Sequence, residues 1–432
     1  MNRITLIITM AAILGMTACG PGFVPSDGGR TPGEAVASDQ QRVSVPAVDA
    51  GDLDALVDGN SAFALDLYQR LAHEQGGENL FYSPYSISLA LAMTYAGARG
   101  ETEQQMADTL NYTLPQERLH PAFNALDQIL ATRGEAAEGK DDEGFRLNIA
   151  NAIWGQEGYT FLEGFLDTLA RNYGAGLRVL DFAGAPERAR VTINDWVSEK
   201  TEGKIEELIP KGLIGPMTRL VLTNAIYFNA AWAEPFEEQQ TGDGTFDLLD
   251  GGQAQVPMMH QTTSFGYAEG EGYQAVELPY DGQELSMVIL LPDAGEFETF
   301  EASLTDDWLS ATLGRLDRRQ VALTMPKFEF DSGFSLNDAL TAMGMEDAFS
   351  GAADFSGMTG DRDLFISSVI HKAFVSVDEE GTEAAAATAV VMMESAAPSE
   401  PVEVTVDRPF VFAIRDIETG ALLFFGRVVD PS

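Results

Sequence analysis

The stretch that decides the fold runs from residue 378 to residue 393 and reads Asp378-Glu-Glu-Gly-Thr-Glu-Ala-Ala-Ala-Ala-Thr-Ala-Val-Val-Met-Met393. Its alanine tetrad favours helix, whereas the threonine and the paired valines behind it favour strand. Residues 394–401 are mostly small and polar and include two prolines, which is typical of an exposed loop tip where proteases cut. A segment able to change conformation therefore leads into a segment that can be cut.

The composition describes an acidic protein with enough apolar residues for a large core. The chain has 432 residues, of which 45% are hydrophobic and 22% charged, with a formal net charge of -41 and a pI near 4.2. Nucleic acid is not expected as a partner, because neutralising phosphates requires clustered Lys and Arg. The charge is instead typical of a soluble protein whose copies repel one another, and we expect a monomer.

The first residues predict export. The apolar run 4–14 follows a basic start and is too short to span a bilayer stably, which suits a signal peptide. We predict a lipoprotein signal peptide over residues 1–18, with Cys19 as the lipid-bearing first residue, because residues 16–19 resemble a bacterial lipoprotein processing site. Met16 stands where Leu is usual, so ordinary signal cleavage is the alternative. Either way the protein is expected at the cell envelope or outside the cell, with membrane contact only through that lipid.

The remaining chain divides into a tether and one large domain. Residues 19–51 are rich in Gly, Pro, Ser and Asp, and we predict a disordered tether. From residue 52 to 432 helical patterns come early and strand patterns late, without regular alternation, which predicts a single α+β domain. Phe63, Leu67 and Leu71 form the apolar stripe of its first helix.

The motifs of the common enzyme and metal sites are missing from the sequence. Four histidines and one cysteine leave little material for a metal site, and no two histidines stand at ligand spacing. The nucleophile elbow, the phosphate-binding loop and the dinucleotide glycine pattern are also missing. We predict no metal, no cofactor and no enzymatic activity; an extracytoplasmic hydrolase is kept as a rival that turnover of peptide esters would reveal.

Eight segments, in order over nearly the whole of residues 52–431, resemble those of the serpins, a family of protease inhibitors. They are 79–94, 194–205, 222–228, 256–259, 325–328, 371–373, 378–393 and 404–412. The resemblance implies three β-sheets, about nine helices and an exposed reactive-centre loop. It also implies a suicide-substrate mechanism, in which a target protease cleaves the loop and the freed segment, here Thr382 to Met393, inserts as a new strand in the central sheet while still bound to the protease.

Alternation of side chains shows whether this segment suits insertion. In a strand, Thr382, Ala384, Ala386, Thr388, Val390 and Met392 would face one way, and this set carries no charge. Glu383, the one charge, falls on the opposite face, so no unpaired charge enters the core. Insertion of about a dozen residues would carry the protease roughly 40 Å.

The family resemblance also assigns roles to individual residues. The hinge comprises Glu379, Gly381, Thr382, Glu383, Ala384, Ala385, Ala386, Ala387 and Thr388. Trp196 is expected at the breach, where the loop first enters the sheet. Ser83, Ser86, Asn224 and His371 are expected in the shutter, a polar cluster beneath the sheet, whose hydrogen bonds contribute about 1 kcal/mol each.

The reactive bond is expected between Ser395 and Ala396, by its spacing from Glu379 in the family. The loop is a few residues longer than in typical members, so Glu394-Ser395 and Met393-Glu394 remain alternatives. A serine before the bond suits an elastase-like or subtilisin-like serine protease, and a cysteine endopeptidase is a second class; if Glu394 is the residue recognised, the target is Glu-selective. The rival within the same fold is a non-inhibitory binding or chaperone protein of the cell envelope.

Overall fold

The computed structural model describes residues 33–134, 146–382 and 400–432. Those residues contain ten α-helices, most of them in the first half of the chain, and sixteen strands, most of them in the second half. The helices are α1 (Asp52–Gln75), α2 (Pro84–Tyr95), α3 (Gly100–Thr109), α4 (Gln116–Ala131), α5 (Glu163–Tyr173), α6 (Pro186–Lys200), α7 (Phe297–Ala302), α8 (Asp306–Leu313), α9 (Asn337–Ala342) and α10 (Ser356–Thr359).

The strands follow the order expected for an α+β domain. They are β1 (Ala35–Val36), β2 (Leu80–Tyr82), β3 (Arg146–Gln156), β4 (Leu177–Leu180), β5 (Leu220–Ala231), β6 (Gly242–Asp247), β7 (Gln253–Gly270), β8 (Tyr273–Pro279), β9 (Leu285–Pro292), β10 (Asp317–Pro326), β11 (Phe328–Ser335), β12 (Ile366–Val377), β13 (Gly381–Thr382), β14 (Val402–Thr405), β15 (Phe410–Asp416) and β16 (Leu422–Val428).

The central sheet has seven strands in the order β1-β4-β3-β5-β13-β12-β11. Its middle strand β5 is buried from Leu220 to Ala230, as its continuous apolar run predicts. Below β13, β5 pairs directly with β12 in parallel, from Ile366 opposite Leu220 to Phe374 opposite Tyr227. The central sheet is therefore closed along most of the line where a further strand would enter.

The other strands form one hydrogen-bonded network, β14-β10-β7-β8-β9-β15-β16-β2, with β6 paired to β7. The long strand β7 belongs to both halves of this network: its beginning pairs with β6 and its end with β8. Two of the three sheets implied by the family resemblance share this strand, and therefore join by backbone pairing.

The helical core begins as the apolar pattern predicts. Phe63, Leu67 and Leu71 of α1 are fully buried. Ser83 caps α2 by accepting a hydrogen bond from the backbone N–H of Ser86 at 3.1 Å, and Pro84 opens the helix. Every residue of α2 is buried, so the helix carries Ser83 and Ser86 into the middle of the molecule.

The predicted tether is shorter than expected at its C-terminal end. Residues 35–36 form β1 on the edge of β4, and Val43 donates its N–H to the carbonyl of Arg171 at 2.9 Å. Side chains contribute as well, since Arg42 donates to Asn124 and forms an ion pair with Asp127. The composition of the segment does not reveal these partners, which are distant in sequence. Residues 1–32, with the predicted signal peptide and Cys19, lie outside the described residues. Among the helices that the structure does describe, none combines the length and apolar character needed to cross a membrane.

Candidate functional site

The first hinge residues already lie between the two middle strands of the central sheet. Gly381 pairs with Ala231 and Thr382 with Ala230 on β5, both antiparallel, and Thr382 also pairs with Val377 on β12. Thr382 is fully buried. Two residues of a new strand are thus in place at the top of an otherwise closed sheet.

Gly381 is required by a close backbone approach. A Cβ at this position would lie 2.2 Å from the carbonyl oxygen of Ala230, well inside van der Waals contact. Asp378 supports the turn before it by accepting the backbone N–H groups of Glu380 and Gly381 at 2.9 and 3.3 Å. The pairing of the hinge with β5 therefore depends on a residue without a side chain.

Two stacked aromatic rings support the hinge from below. Trp232 and Tyr280 stack with ring centroids 4.7 Å apart and planes at 8°. The Tyr280 hydroxyl forms a hydrogen bond of 2.8 Å with Thr382 Oγ1, and Trp232 Nε1 donates to the carbonyl of Asp378 at 3.0 Å. Burial raises the pKa of Tyr280, so its hydroxyl stays neutral and available for this bond.

Glu379 fastens the start of the hinge. Its carboxylate accepts hydrogen bonds from Lys327 Nζ at 2.6 Å and from Thr241 Oγ1 at 2.8 Å. Burial by itself would raise the pKa of Glu379, but these two donors hold it below its ordinary value. The residue is therefore an ionised anchor that connects the hinge to the end of β10.

Trp196 does not belong to this region, contrary to the expectation from sequence. It lies on α6, where its ring packs edge-on against Trp154 at 5.4 Å and under the guanidinium of Arg178 at 4.9 Å. Trp154 pairs with Val221, nine residues before Ala230 on β5, or roughly 30 Å along the strand. Trp232, the residue directly after β5, instead lies beside the start of the hinge, where its Nε1 and backbone N–H donate to the carbonyls of Asp378 and Glu380.

The four predicted shutter residues come together beneath the sheet. Asn224 Nδ2 donates to Ser86 Oγ at 2.8 Å, and His371 Nδ1 lies 2.5 Å from Asn224 Oδ1. The backbone N–H of Ser83 donates to His371 Nε2 at 3.4 Å. Asn151, which the sequence analysis missed, completes the cluster by accepting a hydrogen bond from Asn224 Nδ2 at 2.7 Å.

His371 is neutral in this cluster. It is fully buried, and desolvation lowers its pKa to about 3. Since Nε2 accepts a hydrogen bond from the backbone N–H of Ser83, the ring proton is on Nδ1, which donates a hydrogen bond to Asn224 Oδ1. This bond joins β12 to β5 through side chains at the row where His371 and Asn224 face each other in the sheet.

Comparison with known proteins identifies the fold and the family. The family model of the serpins, serine protease inhibitors, matches residues 58–431. The chain is 41% identical to the human leukocyte elastase inhibitor over 392 residues, which covers 88% of this chain and all of that protein. It is also 41% identical over 378 residues to a serpin-like protein of Thermococcus kodakarensis, covering 87% of this chain and 86% of that protein.

The chain is a serpin. The solved structure of native tengpin, a thermophilic serpin, matches with a TM-score of 0.80 and 29% identity, over 93% of this chain and all of tengpin. The serpin fold expected from the sequence is thereby confirmed, and the protein belongs to a family of protease inhibitors, not of enzymes.

The described part of this serpin includes only the first hinge residues. Gly381 and Thr382 pair with the end of β5 and Glu379 binds Lys327 beside them, whereas Ser83, Ser86, Asn224 and His371 form one hydrogen-bonded cluster beneath the sheet. The remaining predicted loop residues, Glu383, Ala384 to Ala387, Thr388, Met393, Glu394, Ser395 and Ala396, lie outside the described residues. Of the described residues, no three His, Cys, Asp or Glu side chains form a group that could hold a metal ion.

Proposed function

We propose that this serpin inhibits serine endopeptidases as a suicide substrate: cleavage near Ser395-Ala396 releases the segment Thr382 to Met393, which inserts between β5 and β12. One observation carries the proposal. Gly381 and Thr382 already pair between these strands, while the rows below them are closed by direct pairing of β5 with β12. The first two residues of the inserting strand are thus already paired, and the register for the remaining ones is set.

The existing pairs fix the register that insertion would follow. Because Thr382 pairs with Ala230 antiparallel, each further loop residue moves one position back along β5, which brings Thr388 opposite Asn224. The pairing of Thr382 with Val377 on β12 independently brings Thr388 opposite His371. Asn224 and His371 face each other in the present sheet, so the two extrapolations agree.

This register also suits the side chains. Thr382 points into the core, where it bonds Tyr280, and alternation turns Ala384, Ala386 and Thr388 the same way. The β5 residues opposite Ala384 and Ala386 are Phe228 and Ile226, which are large and buried. Small loop residues thus meet large neighbours, and the polar Thr388 meets the polar shutter.

The serine before the proposed reactive bond supports an elastase-like or subtilisin-like protease as the target. A Glu-selective protease is the target if Glu394 is the residue recognised, and cysteine endopeptidases are a further class. Ser395 is small and uncharged, and the human relative at 41% identity is a leukocyte elastase inhibitor. We also propose that the protein is exported, carries a lipid on Cys19 and is a monomer. The mass of the mature N-terminal peptide tests the lipid, and light scattering tests the monomeric state.

The experiment combines complex formation with mapping of the cut. The protein is incubated with pancreatic elastase, subtilisin, a Glu-selective protease and papain, each also in an active-site-blocked form as a control. We expect an SDS-stable complex with at least one active serine protease, and mass spectrometry of the released C-terminal peptide identifies the cleaved bond. Blocked proteases should give no complex.

The rival functions predict different results. Cleavage of the loop should raise the melting temperature sharply when the freed segment inserts. A loop that is cut without complex formation or a change in melting temperature would refute the inhibitory function and favour a binding or chaperone protein. Turnover of peptide esters by the protein alone would indicate the hydrolase.

A further inference from the structure

A cavity of about 720 Å³ lies between the first turns of α4, the helix α5 and the segment 43–47. Helices α4 and α5 pack against each other, and the carbonyl of Val43 accepts a hydrogen bond from Asn124 of α4 at 2.8 Å. The walls of the cavity are therefore attached to one another. Its volume lies in the range of small-molecule sites, about 300–1,000 Å³. None of the described residues that line it belongs to the hinge or the shutter.

Much of the wall is apolar. The segment 43–47 contributes Val43, Val45 and Pro46, and α5 contributes the buried ring of Phe165. Val45 is 84% exposed, although it is a branched apolar side chain. The cavity thus offers apolar surface to a ligand, and part of that surface now faces water.

One polar group in the wall has no partner. The ring of His120, on α4, lines the cavity and is 4% exposed, and its Nε2 makes no hydrogen bond within the described part of the chain. The other ring nitrogen, Nδ1, lies 2.7 Å from the hydroxyl of Tyr173. Burial lowers the pKa of His120 to about 4, with a smaller contribution from the charge of Arg99, and burial raises the pKa of Tyr173. Both side chains are therefore neutral at pH 7.

The hydrogen-bond partners decide which nitrogen of His120 carries the proton. A proton on Nδ1 would leave Nε2 without a donor and the Tyr173 hydroxyl without an acceptor among the described residues. A proton on Nε2 lets Nδ1 accept from Tyr173, so that only the Nε2–H group lacks a partner. Leaving a buried donor without an acceptor is costly, and an acceptor oxygen brought by a ligand would remove this cost.

The charge beside His120 favours an anionic acceptor. Arg99 also lines the cavity, and its positive charge acts on His120. A guanidinium and an N–H donor together suit a carboxylate, which forms stronger hydrogen bonds than a neutral oxygen. Glu117 and Asp167 line the cavity as well, so its total charge is balanced and a polyanion is disfavoured.

We propose that this cavity binds one amphipathic carboxylic acid of the fatty-acid type. The carboxylate accepts the hydrogen bond of His120 Nε2 and pairs with Arg99. The hydrocarbon chain lies along the apolar residues of segment 43–47 and along Phe165. This activity is separate from protease inhibition and does not depend on it, because the hinge and the shutter lie elsewhere.

The first test compares an acid with its neutral analogue. Residues 19–432 carrying Cys19→Ser, so that no attached lipid competes, are titrated calorimetrically with decanoate and with 1-decanol, each kept below the concentration at which it aggregates. We expect one decanoate per chain and binding of 1-decanol that is weaker by roughly tenfold or more, because the alcohol lacks the charge that strengthens the hydrogen bond.

A matched pair of variants tests the role of His120. His120→Asn places an amide near the position of Nδ1, where it can accept from Tyr173, but removes the donor at Nε2. His120→Gln places an amide N–H near the position of Nε2. We expect decanoate to bind roughly tenfold more weakly to His120→Asn and nearly as in wild type to His120→Gln. Melting temperatures of both variants separate a loss of binding from a loss of stability.

A surface variant tests the apolar wall without disturbing the core. Val45→Asp places a negative charge and removes apolar area where the hydrocarbon chain is expected, and should weaken decanoate binding by roughly tenfold. Met217→Asp is the matched control, because Met217 is also exposed, at 71%, and does not line the cavity. It should bind decanoate as wild type does.

The contrary results are equally specific. No binding, uptake of many decanoate molecules without saturation, or equal binding of the acid and the alcohol would refute a site for one carboxylate. Wild-type affinity in Val45→Asp, or in a folded His120→Asn, would place any binding elsewhere and refute the assignment to this cavity. If the His120 variants do not fold, the comparison of Val45→Asp with Met217→Asp decides.

Discussion

Replacing Thr382 by Arg tests insertion at its first buried residue. Thr382 is fully buried and bonds Tyr280 at 2.8 Å. In the uncleaved protein the hinge can lift from β5 and keep a guanidinium in water, but an inserted strand would have to bury it. The lost hydrogen bond costs about 1 kcal/mol and the unpaired buried charge about 3 kcal/mol more. A barrier raised by about 4 kcal/mol slows insertion roughly a thousandfold.

A protease held as an acyl-enzyme for that much longer completes hydrolysis and leaves. The assay is the number of inhibitor molecules consumed per protease inactivated, together with SDS-stable complex on a gel. Thr382→Arg should be cleaved as a substrate without complex, whereas Thr382→Ser, which keeps the hydroxyl, should inhibit nearly as wild type. A Thr382→Arg protein that forms complex at the wild-type stoichiometry would show that residue 382 does not enter the core.

Three further variants test the breach and the shutter. Lys327→Met removes the cation that pairs with the largely buried Glu379 carboxylate. Thermal unfolding should show that the free energy of unfolding of the uncleaved protein falls by about 1 kcal/mol, and by less at high salt. Tyr280→Phe keeps the ring stack but removes the hydrogen bond to Thr382, which should lower the free energy of local opening by about 1 kcal/mol. The rate of amide hydrogen exchange at Gly381 and Thr382 should therefore rise about fivefold. The pKa of His371 is lowered to about 3, so this residue binds fewer protons in the folded than in the unfolded protein. Its contribution to the free energy of unfolding is fully present above pH 6.5 and decreases as the pH falls towards 3, with a loss of about 2 kcal/mol at pH 5. Urea unfolding at pH 7.5 and 5.0 measures this loss, which should be smaller in His371→Gln; His120, lowered to about 4, adds in the same direction and remains in both proteins.

The sequence was sufficient for the features that depend on pattern. The apolar stripe of α1, the Ser83 cap and the continuous burial of β5 follow from spacing and residue type, and the structure has each of them. The shutter residues Ser83, Ser86, Asn224 and His371 also meet, because each lies in a segment whose position the family order fixes.

The features that the sequence did not predict depend on contacts between distant segments. Trp196 lies in one of the family-like segments and Trp232 in none of them, and the position of Trp232 directly after β5 places it beside the hinge. The signal was present, since Trp232 follows a long buried strand directly and Trp196 lies on an amphipathic helix. The order of residues 33–48 had no such signal, because their partners on β4, α4 and α5 are distant in sequence and composition does not indicate them.

The two ends of the loop explain why the uncleaved sheet stays closed below Thr382. Thr382 is held at β5, and β14, which follows the loop, pairs with Val321 to Thr324 of β10, close to the Lys327 that binds Glu379. Inserting residues 382–393 would carry Met393 roughly 40 Å down the sheet. The eight residues 394–401 that connect it to β14 reach at most about 28 Å. Full insertion therefore requires either a cut in these residues or the separation of β14 from β10. Under the proposed mechanism a target protease supplies the cut, and without a cut the same insertion would require β14 to separate from β10.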